Sequence, residues 1–182
     1  MIKLIRLLFL TLLLCASFPM CAQRVALRTN ALEWVALSPN MAVEARLSRR
    51  VTLDLSMGGC PFSSVPFLDN YKWRHFRVTP SLRYWFNRPM ARHFLGVNLS
   101  AAVFSVRLKD RCYKGDMFSA GIDYGYDLVL SHHWNLEFLA GIGLGKARGY
   151  DWRAPSPQPK TVNMSRWVPV PRLGVSFTYV FN

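Results

Sequence analysis

Ten charged side chains stand in this sequence with apolar residues on one or both sides, and they are its main chemical signature. Five are cationic, Arg28, Arg46, Arg77, Arg83 and Arg172, and five are anionic, Glu44, Asp54, Asp123, Asp127 and Glu137. A charge flanked by greasy neighbours at a spacing of two belongs to the polar face of an extended strand. Gathered out of water these groups must pair, because a buried charge without a partner is costly. Five of each sign cancel, so the expected chemistry is structural: a salt-bridge and hydrogen-bond network filling an enclosed space, with Arg83 placed to bridge Asp127 and Glu137.

Other reactive residue types are thin. His75 follows Ser63, Ser64 and Asp69, the ingredients of a Ser-His-acid hydrolase, but no nucleophile motif singles out one serine. No catalytic residue is assigned, and no enzyme is expected. Adjacent His132 and His133 lack the spacing of a metal site, and neither metal nor cofactor is expected. The glycines from Gly141 to Gly145 alternate as small packing residues, since no phosphate-binding lysine opens a following helix. Cys60 and Cys112 fall in two different expected loops; they either form one disulfide that ties those loops or remain two thiols.

The elements that must position these residues are strands. Leu173, Val175, Phe177, Tyr179 and Phe181 alternate with Arg172, Gly174, Ser176 and Thr178. The same two-residue period runs through Trp134–Leu144, Phe118–Leu130, Leu95–Val103, His75–Phe86, Val51–Gly58 and Val43–Ser48. A first strand spans about Arg24–Ala36, its phase blurring at Leu32. Tight turns are expected at Ser48–Arg50, Asn87–Arg92 and Ser131–His133. A short connection lies at Ser38–Asn40, and longer loops at Cys60–Arg74, Arg107–Gly115 and Arg153–Trp167. Alternating short and long connections define an up-and-down barrel of eight antiparallel strands, the all-β fold expected for residues 23–182.

The two faces decide which side such a barrel turns inward. One is built of Gly, Ser, Thr, Asn and charges; the other is bulky, with Phe and Tyr. A narrow lumen suits the small polar face, and hydrocarbon suits the bulky one, so a transmembrane barrel with a filled polar lumen is expected over a soluble one. Aromatics gather near strand ends, with Tyr84, Phe86, Trp134, Tyr179 and Phe181 on the turn side. Tyr71, Trp73, Tyr150 and Trp152 lie on the loop side, so the two groups form a pair of interfacial girdles.

The N-terminus carries Lys3 and Arg6, an apolar stretch from Leu7 to Leu14, and small residues before Gln23. That reads as a signal peptide over residues 1–22, too short to span a bilayer as a helix. Of the 23 basic residues two lie in this leader, which leaves 21 against 10 acidic ones. With the lumen neutral, the excess belongs to the loops, turns and chain ends, and the last loop with its flanks holds Lys146, Arg148, Arg153, Lys160 and Arg166 against Asp151 alone. For an exported chain the expected counterions are the phosphates of outer-membrane lipids, lipopolysaccharide included, and not nucleic acid.

Leu27-Arg28-Thr29-Asn30, Ser38-Pro39-Asn40, Leu53-Asp54-Leu55-Ser56, Arg83-Tyr84-Trp85-Phe86 and Gly121-Ile122-Asp123-Tyr124-Gly125-Tyr126 together resemble a domain-of-unknown-function family. Its members are small outer-membrane β-barrels from Bacteroides-type bacteria. The resemblance implies a Gram-negative outer-membrane location and genes near those for fimbrial assembly; it implies no catalytic residues. The function expected is a non-enzymatic barrel contributing to envelope structure or surface assembly, with surface or fimbrial assembly proteins as partners. Alternatives are a lipid A-modifying enzyme of the outer leaflet and a narrow gated channel.

Overall fold

The computed structural model describes residues 24–60, 71–154 and 156–181. The leader, Ser63, Ser64, Asp69 and Asn182 lie outside them. The strands are β1 (Val25–Asn30), β2 (Asn40–Arg46), β3 (Val51–Cys60), β4 (Tyr71–Trp85), β5 (Arg92–Leu108), β6 (Arg111–Val129), β7 (Trp134–Arg153) and β8 (Met164–Phe181). Each pairs antiparallel with its sequence neighbours, and β8 pairs with β1, so the sheet closes into a barrel. The eight-stranded all-β fold expected from the alternation is therefore present.

Closure turns the polar face inward. Thr52, Asp54, Ser81, Arg83, Asn98, Asp123, Glu137 and Thr178 are buried, while Leu53, Leu82, Val97, Ile122, Phe138 and Phe177 are exposed. Successive side chains on a strand point to opposite faces, so one choice of face fixes all eight strands. The only buried apolar cluster among the described residues, Ala26, Met90 and Val180, sits at the turn end of the barrel. Trp85 and Phe94 close the lumen beside it, fully buried, with ring centroids 4.7 Å apart.

Two expectations need correction. The first strand does not run to Ala36: it stops at Asn30, whose side chain accepts a hydrogen bond from Leu32 N and caps a short helix, α1 (Ala31–Val35). That is why the two-residue phase blurs at Leu32. Beyond the C-cap Ala36, Leu37 takes a left-handed backbone (φ 56°) that turns the chain toward β2. The expected loop at Arg107–Gly115 is a tight hairpin instead: Leu108 pairs with Arg111, and Lys109 takes a positive φ of 55°. Strands β5 to β8 consequently run 17 to 20 residues, whereas β1 and β2 have 6 and 7. The barrel wall is tall on one side and low on the other.

Gly125 shows how tightly the closed end is filled. A Cβ there would lie 2.2 Å from Phe94 Cζ. Gly125→Ala is expected to lower stability by about 1–3 kcal/mol through overpacking. Adding Phe94→Leu should recover most of the loss, as read from denaturant midpoints; equal midpoints for wild type and the single variant would contradict this packing.

Candidate functional site

The middle of the lumen holds two guanidiniums among three carboxylates. Arg28 of β1 donates through Nη1 to both oxygens of Glu137 on β7, at 2.9 and 2.8 Å, and through Nη2 to Asp54 of β3 at 2.7 Å. Arg83 of β4 donates through Nη1 to Glu44 of β2 at 3.0 Å and to Glu137 at 2.6 Å; its Nη2 lies 3.7 Å from Asp54. All five side chains are buried. Neutral donors complete the set: Thr52 gives its hydroxyl to Glu44 at 2.5 Å and takes a hydrogen bond from the Trp85 indole at 2.8 Å. The Phe94 ring lies 4.6 Å from the Arg83 guanidinium carbon, a cation–π contact in a site without bulk water.

The other predicted lumen residues divide into satellites. Arg172 of β8 pairs with Asp123 of β6, which also accepts from Asn98 at 2.8 Å. Arg77 pairs with Glu33 of α1 at 2.7 Å. Arg46 is half-buried at the turn end of β2. The expected bridge from Arg83 to Asp127 does not form. Asp127 is held by Asn135 Nδ2 at 2.8 Å, and the same amide nitrogen reaches Met90 O, so that carboxylate serves to anchor the turn that seals the barrel. The even balance of charge also changes, because Glu33 joins the interior as a sixth acid. Sequence reasoning missed Glu33 by placing it on a strand; the signal was Asn30 followed three residues later by Glu, a helix-start pattern. Phe94 was missed because its neighbours read as a turn.

The basic residues assigned to the last loop and its flanks separate in the same way. Lys146 and Arg148 are exposed on the outward face of β7, in line with Ile142 and Leu144, and Lys146 lies 5.6 Å from the Trp167 ring. Across the sheet Arg148 stands opposite Asp116 of β6, with Lys114 next on the same face; Lys72 and Arg74 occupy that face of β4. Together they form a basic band along the loop end of the tall wall, directly above exposed Phe76, Val103 and Phe118. Arg153 and Lys160 are exposed beyond it, while Arg166 pairs with Asp151 at 3.4 Å.

Cys60 and Cys112 are both buried and are not joined by a disulfide. They end β3 and begin β6, three strand spacings of about 4.8 Å apart around the wall, whereas a disulfide needs its Cα atoms within about 7 Å. His75 Nε2 lies 3.1 Å from Ser38 Oγ, a partner the sequence did not suggest. Its Nδ1 is buried without a hydrogen-bond partner, so no described carboxylate orients the ring as a hydrolase would require.

A closed eight-stranded barrel with a charged interior and an apolar exterior is the class this chain defines. The chain matches the family described as Protein of unknown function (DUF3575) over residues 8–181, and it belongs to that family. No curated protein and no solved structure matches it.

Replacing Arg83 by Met leaves three carboxylates around Arg28 alone. The expected cost is about 3–5 kcal/mol, that of stranding a buried charge. Arg166→Met removes only an exposed pair and should cost about 0–1 kcal/mol. Denaturation midpoints of the two variants, measured side by side, test the contrast; similar losses would mean that the cluster does not hold the barrel.

Proposed function

We propose that this protein is an integral outer-membrane β-barrel of a Gram-negative envelope, exported by its N-terminal leader, and that it acts as a filled scaffold rather than an enzyme or a pore. The observation that carries this reading is the inversion of the barrel: exposed Leu, Ile, Val and Phe surround buried Arg, Asp and Glu. An apolar exterior this extensive is unfavourable in water. In hydrocarbon it is favourable, because a closed barrel leaves no unpaired strand edge to the lipid. Trp134, Tyr84, Phe86 and Phe181 cluster at the turn end, and Trp167 stands on the outward face toward the loop end; both positions suit the two interfaces.

In this orientation the basic band faces outward at the level of lipid head groups. Lipopolysaccharide phosphates are its counterions, at about 1 kcal/mol for each Lys or Arg near an anionic surface. The lumen is blocked by Trp85, Phe94 and the Arg28–Arg83 cluster, which favours a scaffold over a channel. The role that fits is a contribution to envelope structure, or support of a surface assembly such as fimbriae, through the loop end.

Five measurements test this. Refolded into vesicles, the protein should be protected from protease, and brominated acyl chains should quench exposed tryptophans such as Trp134 and Trp167 but not Trp85. Planar bilayers should show no steady, large conductance. Neutralising Lys146, Arg148, Arg153 and Arg166 together should weaken retention of lipopolysaccharide on the purified barrel, and expression should leave the mass of lipid A unchanged. Failure to enter vesicles would overturn the membrane reading, steady conductance the scaffold reading, and altered lipid A the non-enzymatic one.

A further inference from the structure

Toward the loop end of the Arg28–Arg83 cluster the lumen opens into a cavity of about 260 Å³, with Arg28 and Glu137 on its floor. Strands β1 to β7 line it with residues of alternate, inward parity, such as Ala42, Ser56, Thr79, Ser100 and Ser119. Strand β8 differs: it contributes the unbroken run Val170, Pro171, Arg172, Leu173 and Gly174. Pro171 and Leu173 are exposed and belong to the outward face. On β1 to β7 the cavity meets no outward-facing residue, whereas on β8 it does, and there the wall has an edge.

That edge is the β1–β8 seam. Strand β1 is paired to β8 only from Val25 opposite Phe181 to Asn30 opposite Ser176. Beyond Ser176 toward the loop end, β8 has a strand partner on the β7 side alone. The Asn30 side chain spans the start of the gap, accepting from Val175 N at 3.2 Å and donating to Leu173 O at 3.4 Å. Odd-numbered residues of β8 therefore direct their backbone groups to the seam. Pro169 and Pro171 share that parity, so their missing N–H groups weaken nothing in the β7 ladder and leave the seam edge poor in donors. Helix α1, with exposed Leu32 and Trp34, lies against this edge.

Two cations line the cavity from opposite sides. Arg77 on β4 is held by Glu33, and Arg172 on β8 by Asp123. Each has one carboxylate partner, which leaves part of each guanidinium fork uncommitted, and Arg77 Nε and Glu33 Oε2 are buried without hydrogen-bond partners. Two guanidiniums with spare donors suit the tetrahedral oxygens of a phosphate. The volume lies just below the range of about 300–1,000 Å³ usual for drug-sized ligands; it is large enough for a head group, and its polar and charged lining suits a head group better than an acyl chain.

We propose that the cavity binds the phosphate-bearing head group of an outer-leaflet amphiphile. The head group enters sideways through the β1–β8 seam, with its phosphate between Arg77 and Arg172 and its chains outside against Pro171, Leu173 and α1. This rests on the membrane reading above.

The test uses the refolded barrel in neutral micelles, titrated with dihexanoyl phosphatidic acid and, separately, with inorganic phosphate, each followed by phosphorus NMR. The lipid is expected to bind wild type, and roughly tenfold more weakly to Arg77→Gln and to Arg172→Gln, the effect of losing charge-assisted hydrogen bonds. Ser119→Phe, which keeps both arginines and fills the cavity, should abolish binding; Lys146→Gln with Arg148→Gln should leave it unchanged. In unaltered protein, contacts from the glycerol protons to the methyls of Leu139 and Val170 should appear, which tests the site even where a variant misfolds. Wild-type binding retained by Ser119→Phe, or absence of those methyl contacts, overturns the site. Inorganic phosphate binding as tightly as the lipid overturns sideways entry of an amphiphile. A barrel protected in vesicles that fails these titrations refutes the cavity alone, whereas loss of protection refutes the membrane reading.

Discussion

The interaction on which the rest of this structure depends is the five-residue ion cluster at the middle of the lumen. Among the described residues the barrel has no extended apolar core of the kind that holds most domains together; the buried apolar cluster is three residues at one end. Arg28 and Glu137 are 109 residues apart in sequence, and Arg83 and Glu137 are 54 apart, so these pairs form only when the sheet has closed. Each guanidinium reaches three carboxylates on different strands, which only a planar, five-donor fork can do. Pairing across the ring therefore fixes the register of opposite walls, in the way apolar packing fixes it in a water-soluble barrel.

The same inversion explains what was legible in the sequence. Period-two alternation is dictated by the pleat, so strands with one polar and one greasy face declared themselves through Asp54, Asp123, Glu137 and their apolar neighbours. Which carboxylate meets which guanidinium is set by stagger between strands, which alternation does not encode. Arg83 could be assigned to Glu137 but was also assigned to Asp127, and the structure gives Asp127 to Asn135. Glu33 was hidden because a five-residue helix is shorter than two turns, too short for its period to override that of the strand before it. The loop at Arg107–Gly115 was misjudged because its run of charges interrupts the greasy face. Lys114 lies on a strand, because an exposed strand face tolerates charge as readily as a loop does.

The low and tall sides of the wall follow from those local choices. Asn30 ends β1 early by capping α1, which deprives the far part of β8 of a partner strand; the hairpin at Lys109 lets β5 and β6 continue where a loop would have stopped them. The tall side then carries the basic band, and the low side leaves the seam. Both features come from strand length alone, with no change in strand number or order. An edge of this kind is a liability, since unpaired backbone groups invite another strand. Three devices restrain it here: prolines at 169 and 171, the Asn30 side chain acting as a substitute strand residue, and α1 laid beside it.

These restraints are local and polar, whereas the part of the ring from β3 through β8 is held by ladders of ten to nineteen residue pairs. Strand β1 is therefore the weakest part of the circumference in cooperative terms, with four pairs to β2 and six to β8. Arg28 spans both of these ladders, reaching Asp54 on β3 and both oxygens of Glu137 on β7. The ion cluster thus reinforces the strand that the sheet holds least. These pairs lie on the closed side of Asn30, away from the part of the seam where β8 lacks a partner strand. The unpaired edge and the ion-paired closure are in this way assigned to separate stretches of the same two strands.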